Sequence, residues 1–192
     1  MNYSEILLLL SATLAFYFFL SVIIIHIVRK DLSLEKSALS EYAIGNKGAY
    51  LTTGLILIGF SEIIIASISK DNFAASINLF LAGIGVTITG LIKMDKLGKK
   101  SLRNTIHNLG AILQFLFFPV AVYFFSSAIS GSSARTYYIA TSLVTSVLGI
   151  LILILHQRYV KDKIHSYGLI QKVNILIINL WLIIIPLMQI CR

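Results

Sequence analysis

Six long apolar runs separated by short polar segments set the pattern of this chain. They cover roughly Ile6–Val28, Ala49–Ser69, Phe73–Ile92, Thr105–Ser127, Thr136–His156 and Leu169–Ile190. A bilayer core of about 30 Å needs about 20 apolar residues at a helical rise of about 1.5 Å, and each run meets that length. The runs are continuous rather than alternating, which argues against a transmembrane barrel. Helices then satisfy the backbone inside lipid. The pattern predicts an all-α, polytopic membrane protein: one bundle of six transmembrane helices over residues 1–192. Glu5 is the only charge in the opening segment and no small-x-small site follows the first run, so it reads as a retained span rather than a signal peptide.

Turn chemistry punctuates the runs. Gly45-Asn46-Lys47-Gly48 precedes the second span, Asp71-Asn72 joins the second to the third, and Ser130-Gly131-Ser132-Ser133 joins the fourth to the fifth. Ser101 or Asn104 can cap the fourth span. Short connections predict antiparallel neighbours. The third span carries Ala82, Gly83, Gly85, Thr87 and Gly90, small residues that let helices approach closely in lipid. Gly83-x-Gly85 lacks the strand–turn–helix setting of a nucleotide site. Pro119 and Pro186 each remove a helical hydrogen bond.

Composition agrees: 57% of residues are hydrophobic and only 12% charged, about half the charge of a soluble domain. The single Cys191 excludes a disulfide framework and a cysteine metal cluster. The net charge of +8 is mostly a topology signal. Thirteen of the sixteen Lys and Arg residues lie in the first, third and fifth loops or at the start of the last span; only Lys70, Arg135 and Arg192 lie opposite. The positive-inside rule then predicts the cytoplasmic membrane with both termini extracytoplasmic. No soluble module is present to carry a nucleic-acid stripe. Membrane lipids are the expected partners, and a second copy or another membrane protein stays open.

Two polar groupings stand out. Glu62 lies within the second span, on one helical face with Thr52, Gly59, Ala66 and Ser69; Asn78 is at similar depth and could hydrogen-bond it, as could a Ser or Thr. Such an acid is either satisfied locally or a proton or cation site. The other grouping is on the basic-loop side: His26, Ser40, Glu41, Tyr42, Asp95, His107, Gln114, His156 and Asn174. Glu41, Asp95 and His107, the catalytic candidates, are expected to converge, with Ser40, Tyr42, Gln114, His26 and His156 as binding residues. His and carboxylate side chains are zinc ligands and an Asp beside a His is a general base, but no HExxH or GxSxG pattern is present. No cofactor is predicted; zinc, or one haem between paired His, stays open. The expected function is a lipid-associated membrane protein with a polar pocket at this end. The alternative is an intramembrane hydrolase or metal-dependent enzyme there, and a third reading is a proton-coupled carrier using Glu62.

Ser40-Glu41-Tyr42-Ala43-Ile44-Gly45 before a span, the glycine-rich third span, Asp95 and His107-Asn108 together resemble a prokaryotic six-helix membrane family known only as a domain of unknown function. That family is distantly similar to the FRAG/DRAM/Sfk membrane proteins. The resemblance covers about residues 5 to 190. Where relatives often carry Phe-Pro-x-Asp, this chain has Ile92-Lys93-Met94-Asp95. The resemblance implies the fold, and no activity. Its relatives often place the first loop outside, opposite to the charge pattern.

Overall fold

The computed structural model describes residues 1–95, 98–127, 132–162, 164 and 166–191. The expected turn at Ser130-Gly131 lies outside them, as do Lys96, Lys163 and Arg192 of the charge pattern. Every regular element among the described residues is helical: α1 (Tyr3–Val28), α2 (Leu39–Tyr42), a 3-10 turn (Asn46–Gly48), α3 (Ala49–Ile68), α4 (Phe73–Leu91), α5 (Leu102–Ser127), α6 (Ser132–Asp162) and α7 (Tyr167–Ile190). Six of these helices are long and apolar enough to cross a membrane, so the chain is a multi-pass membrane protein. The largest departure from the expected spans is α6, which continues beyond His156 to Asp162. Its last turns are polar in sequence, yet Tyr159 there is fully buried.

Each spanning helix packs against the next in sequence, and α7 closes the ring against α1. Outward faces present large apolar side chains such as Phe16, Phe60, Phe80, Leu116, Val147 and Leu180. In water such a surface would drive aggregation; in a bilayer it is the solvent-facing surface. Inside, Trp181 is fully buried among Phe118, Phe125 and Tyr138, with ring centroids 5.5 to 5.8 Å away. Polar side chains also cross between helices: Ser11 and Ser61 join α1 to α3 at 2.8 Å.

The small residues of α4 act through backbone contact. A Cβ on Gly85 would lie 2.6 Å from the Gly110 carbonyl oxygen, and one on Gly110 would lie 2.5 Å from that of Gly85. The α4–α5 interface is therefore backbone against backbone, the packing open to helices in lipid. Turn signals act as expected where they are described. Gly45 takes φ 83° before the 3-10 turn, and the Asn72 side chain accepts from the Ala75 N–H to cap α4. Ser101 Oγ accepts from the Asn104 N–H at 3.2 Å. Asn104 instead binds the preceding loop, accepting from the Asp95 N–H and donating to the Lys99 carbonyl.

Candidate functional site

The first connection is a folded plug, not a slack loop. Its short α2 is pinned to α6 and α7. The Leu39 N–H donates to Gln171 Oε1 at 2.7 Å. The Ala38 N–H is shared between Glu41 Oε2 at 2.9 Å and the Tyr159 hydroxyl at 3.0 Å, and Tyr159 donates to the same Glu41 oxygen. Lys172 Nζ donates to the carbonyls of Ser37 and Leu34, at 2.6 and 2.8 Å, and sits 5.1 Å above the Tyr42 ring. A cation over an aromatic face gains further attraction. Burial, then the nearby Asp31 and Glu41 charges, push the Tyr42 phenol up from its ordinary value.

Beneath this plug three cavities adjoin. An outer one of about 590 Å³ is lined by Lys99, Lys100 and Ser101 at the head of α5, and by Asn108, His156 and Gln157. The last three also line a middle cavity of about 250 Å³ with Ser40, His107, Tyr167 and Gln171, backed by Ala111, Phe115 and Ile152. Ser40, His107, Ala111, Phe115 and Gln171 recur in an inner cavity of about 60 Å³, which Gln114 also lines. Shared lining residues set the three side by side as a stepped chamber, from the basic-loop end toward Gln114.

The two imidazoles of the chamber are each held by a hydrogen bond. His107 is buried, and its Nδ1 lies 2.8 Å from the Ile92 carbonyl oxygen. A carbonyl only accepts, so Nδ1 carries the proton and Nε2 of the neutral ring is an acceptor. His156 Nδ1 meets the Tyr167 hydroxyl at 3.0 Å, and Tyr167 stacks on Tyr159 at 4.2 Å. The chamber thus offers an imidazole acceptor, amides and hydroxyls beside apolar walls. That composition suits an amphipathic ligand.

Ser40, His107, Gln114 and His156 therefore share the chamber. The three catalytic candidates do not form one hydrogen-bonded network among the described contacts. Glu41 turns to its own helix start and to Tyr159. Asp95 stays at the surface, 3.6 Å from Lys99 and 3.7 Å from Arg103. A hydrogen bond from Ser101, reinforced by those cations, holds its carboxyl below the usual range. Asp95 found its cations and donor in its own loop and the start of α5, and Glu41 found its donors in the Ala38 N–H and in Tyr159 of α6, so neither turned to His107. The His26 and Tyr42 rings meet at 4.5 Å in a tilted arrangement, and His26 lines a separate groove between α1 and α7.

Glu62 departs from expectation in its partner. Asn78 donates to the Ala74 carbonyl of its own helix at 2.7 Å, and Gln114 is the residue that reaches Glu62. A short amide side chain in a helix satisfies itself on the preceding turn; the longer Gln crosses the interface. Gln171, Tyr159 and Tyr167 were not singled out in the sequence. The available signal was i, i+3 spacing: Gln171 shares a face with Asn174 in an otherwise apolar span. Among the described residues, no three His, Cys, Asp or Glu side chains are grouped to hold a metal.

The chain matches a family described as "Protein of unknown function (DUF998)" over residues 12–188. It belongs to the DUF998 family. No curated protein and no solved structure matches it. Membership of DUF998 agrees with the six-helix membrane architecture and attaches no activity to the chamber.

Proposed function

We propose that this DUF998 protein is a lipid-associated protein of the cytoplasmic membrane whose stepped chamber receives the polar head of an anionic membrane lipid. The observation that carries this reading is the shared lining of the three cavities. Lys99 and Lys100 stand at the mouth, Asn108, His156 and Gln157 at the first step, and His107, Ser40 and Gln171 at the second. Lysines near a membrane surface attract anionic headgroups, while Ile112, Phe115 and Leu153 offer apolar contact for the glycerol and acyl portion.

The test is binding in nanodiscs. Phosphatidylglycerol should be retained over phosphatidylcholine, and the preference should shrink in Lys99→Gln/Lys100→Gln and at high salt. Equal retention of both lipids, unchanged in the double variant, would overturn the reading.

One observation favours a hydrolase as second reading. Ser40 and His107 line the same two cavities, and His107 presents its unprotonated Nε2 while Nδ1 is pinned by Ile92. That is the arrangement of a base held in one tautomer. A fluorophosphonate probe that labels Ser40, and loses it in His107→Ala, would move the assignment from binding to acyl transfer.

A further inference from the structure

Glu62 exposes no surface. It lies thirteen residues into α3, and Gln114 twelve into α5, so both sit roughly 20 Å from their helix starts, deep in the span. Gln114 Nε2 donates to Glu62 Oε1 at 2.7 Å. This contact leaves Glu62 Oε2 and Gln114 Oε1 buried without a partner. Two bare acceptors with no donor between them are costly in a medium that supplies none. A proton eases the conflict. Placed on Glu62 Oε2 it turns one of the two bare acceptors into a hydroxyl donor that the Gln114 side-chain oxygen can accept, while Gln114 Nε2 still donates to Glu62 Oε1. The same two side chains thus stay hydrogen-bonded in either protonation state.

The pair adjoins the cavities. Gln114 lines the inner cavity, which shares His107 and Gln171 with the middle one, and the middle one shares Asn108, His156 and Gln157 with the outer one. Among the described residues, none of the elements packed on α3 (α1, α4, α7 and the 3-10 turn) brings a charged or titratable side chain against Glu62, and α5 reaches it through the Gln114 amide. Hard metal ions take a fuller oxygen shell than two acceptors. A proton needs only these.

The geometry points to Glu62 and Gln114 as a proton-binding pair at the inner end of the chamber, loaded from the side of the basic loops. Gln114 is the positioning residue and Glu62 the group that carries the proton. The assignment does not depend on which ligand occupies the outer steps, and lipid retention is measured separately.

The test uses the full chain in phosphatidylcholine nanodiscs with dicyclohexylcarbodiimide, an apolar reagent that modifies protonated carboxyls, and peptide mass spectrometry as readout. Glu62 should be labelled, at a rate that falls at least about tenfold, one unit of a single-site titration, as the pH is raised. Sodium should not protect it. Glu62→Gln should fold and lose the label, and Gln114→Leu should keep the label but displace the midpoint of its pH dependence. Three results would overturn the proposal. Labelling of Glu62 only after unfolding would show that the pair is sealed. Labelling independent of pH would show that no proton exchanges. Protection by sodium at constant pH would assign the pair to a metal cation instead.

Discussion

The side-chain oxygen of Gln171 accepts the backbone N–H of Leu39 at 2.7 Å, joining the last span to the first connection across 132 positions. This contact makes the connection a plug over the chamber rather than a free loop. Gln171 serves two ends at once, since it also lines the middle and inner cavities. Anchoring and chamber wall therefore share one residue.

Gln171→Leu should loosen the plug. It leaves the buried Leu39 N–H without an acceptor, which costs about 1–3 kcal/mol. Trypsin should cleave faster after the exposed Lys36, at unchanged helical content by circular dichroism. Gln171→Glu retains an acceptor and should cleave like the parent. Equal cleavage of all three proteins would show that Tyr159 and Lys172 hold the plug without Gln171.

Gly85 and Gly110 should be intolerant of any side chain. A Cβ at either would press on the other's carbonyl oxygen, and backbone cannot move aside as a side-chain tip can. Overpacking of this kind costs about 1–3 kcal/mol. Gly85→Val should lower the thermal midpoint in detergent well below that of a lipid-facing control such as Leu91→Val. Matching midpoints would show that α4 and α5 separate freely.

What the sequence disclosed follows from which forces act locally. Span number and helical class were legible because hydrophobic thickness is a local property of each run. The Asn72 cap and the Gly45 turn were legible for the same reason. Partner choice was not. Asn78 and Gln114 are both amides compatible with Glu62, and only the rotation of α5 against α3 selects Gln114. The sequence set Glu41 and Asp95 in the connections at one end of the bundle, but their side-chain directions depended on Tyr159 and on Ser101, Lys99 and Arg103. Sequence gives depth, and the third dimension decides which groups at one depth meet.

Charge, not shape, should decide substitutions at Glu62. Glu62→Gln retains the volume and a group able to bond Gln114, so its thermal midpoint should stay close to the parent's. Glu62→Lys places an ammonium where no acidic side chain faces it, at a cost of about 3 kcal/mol for a charge at the centre of a span. It should express poorly or melt far earlier. A Lys variant as stable as the Gln variant would show that water reaches this depth freely.

Acid should release the loop before α5. Asp95 is held below its ordinary carboxylate range by Ser101 and the neighbouring cations. Its folded value lies below the unfolded one of about 3.9. The contribution is therefore complete above that unfolded value and is lost as pH falls through the folded value. The effect is small because the group is exposed to solvent. Between pH 5 and about pH 3, Tm should fall less in Asp95→Asn than in the parent. A variant with the parent's acid dependence would remove Asp95 from the account.

The chamber mouth should face the cytoplasm. Lys99 and Lys100 flank it, and the loops on that side carry Arg29, Lys30, Lys36, Lys47, Lys93, Arg103, Arg158 and Lys161 as well. The opposite side holds only Lys70, Arg135 and Arg192. Basic residues in short loops resist translocation, and Asp71-Asn72 is too short a connection to bring a competing signal. Six spans put both termini on one side, opposite the mouth. An alkaline phosphatase fusion at the C-terminus, active only outside the cytoplasm, should therefore be active, and a green fluorescent protein fusion at the same point should stay dark. Lys99→Gln/Lys100→Gln alone should not invert the protein, because the first and fifth loops still carry the bias. A bright fluorescent fusion in the parent would reverse the orientation, and with it the side from which the chamber and Glu62 are reached.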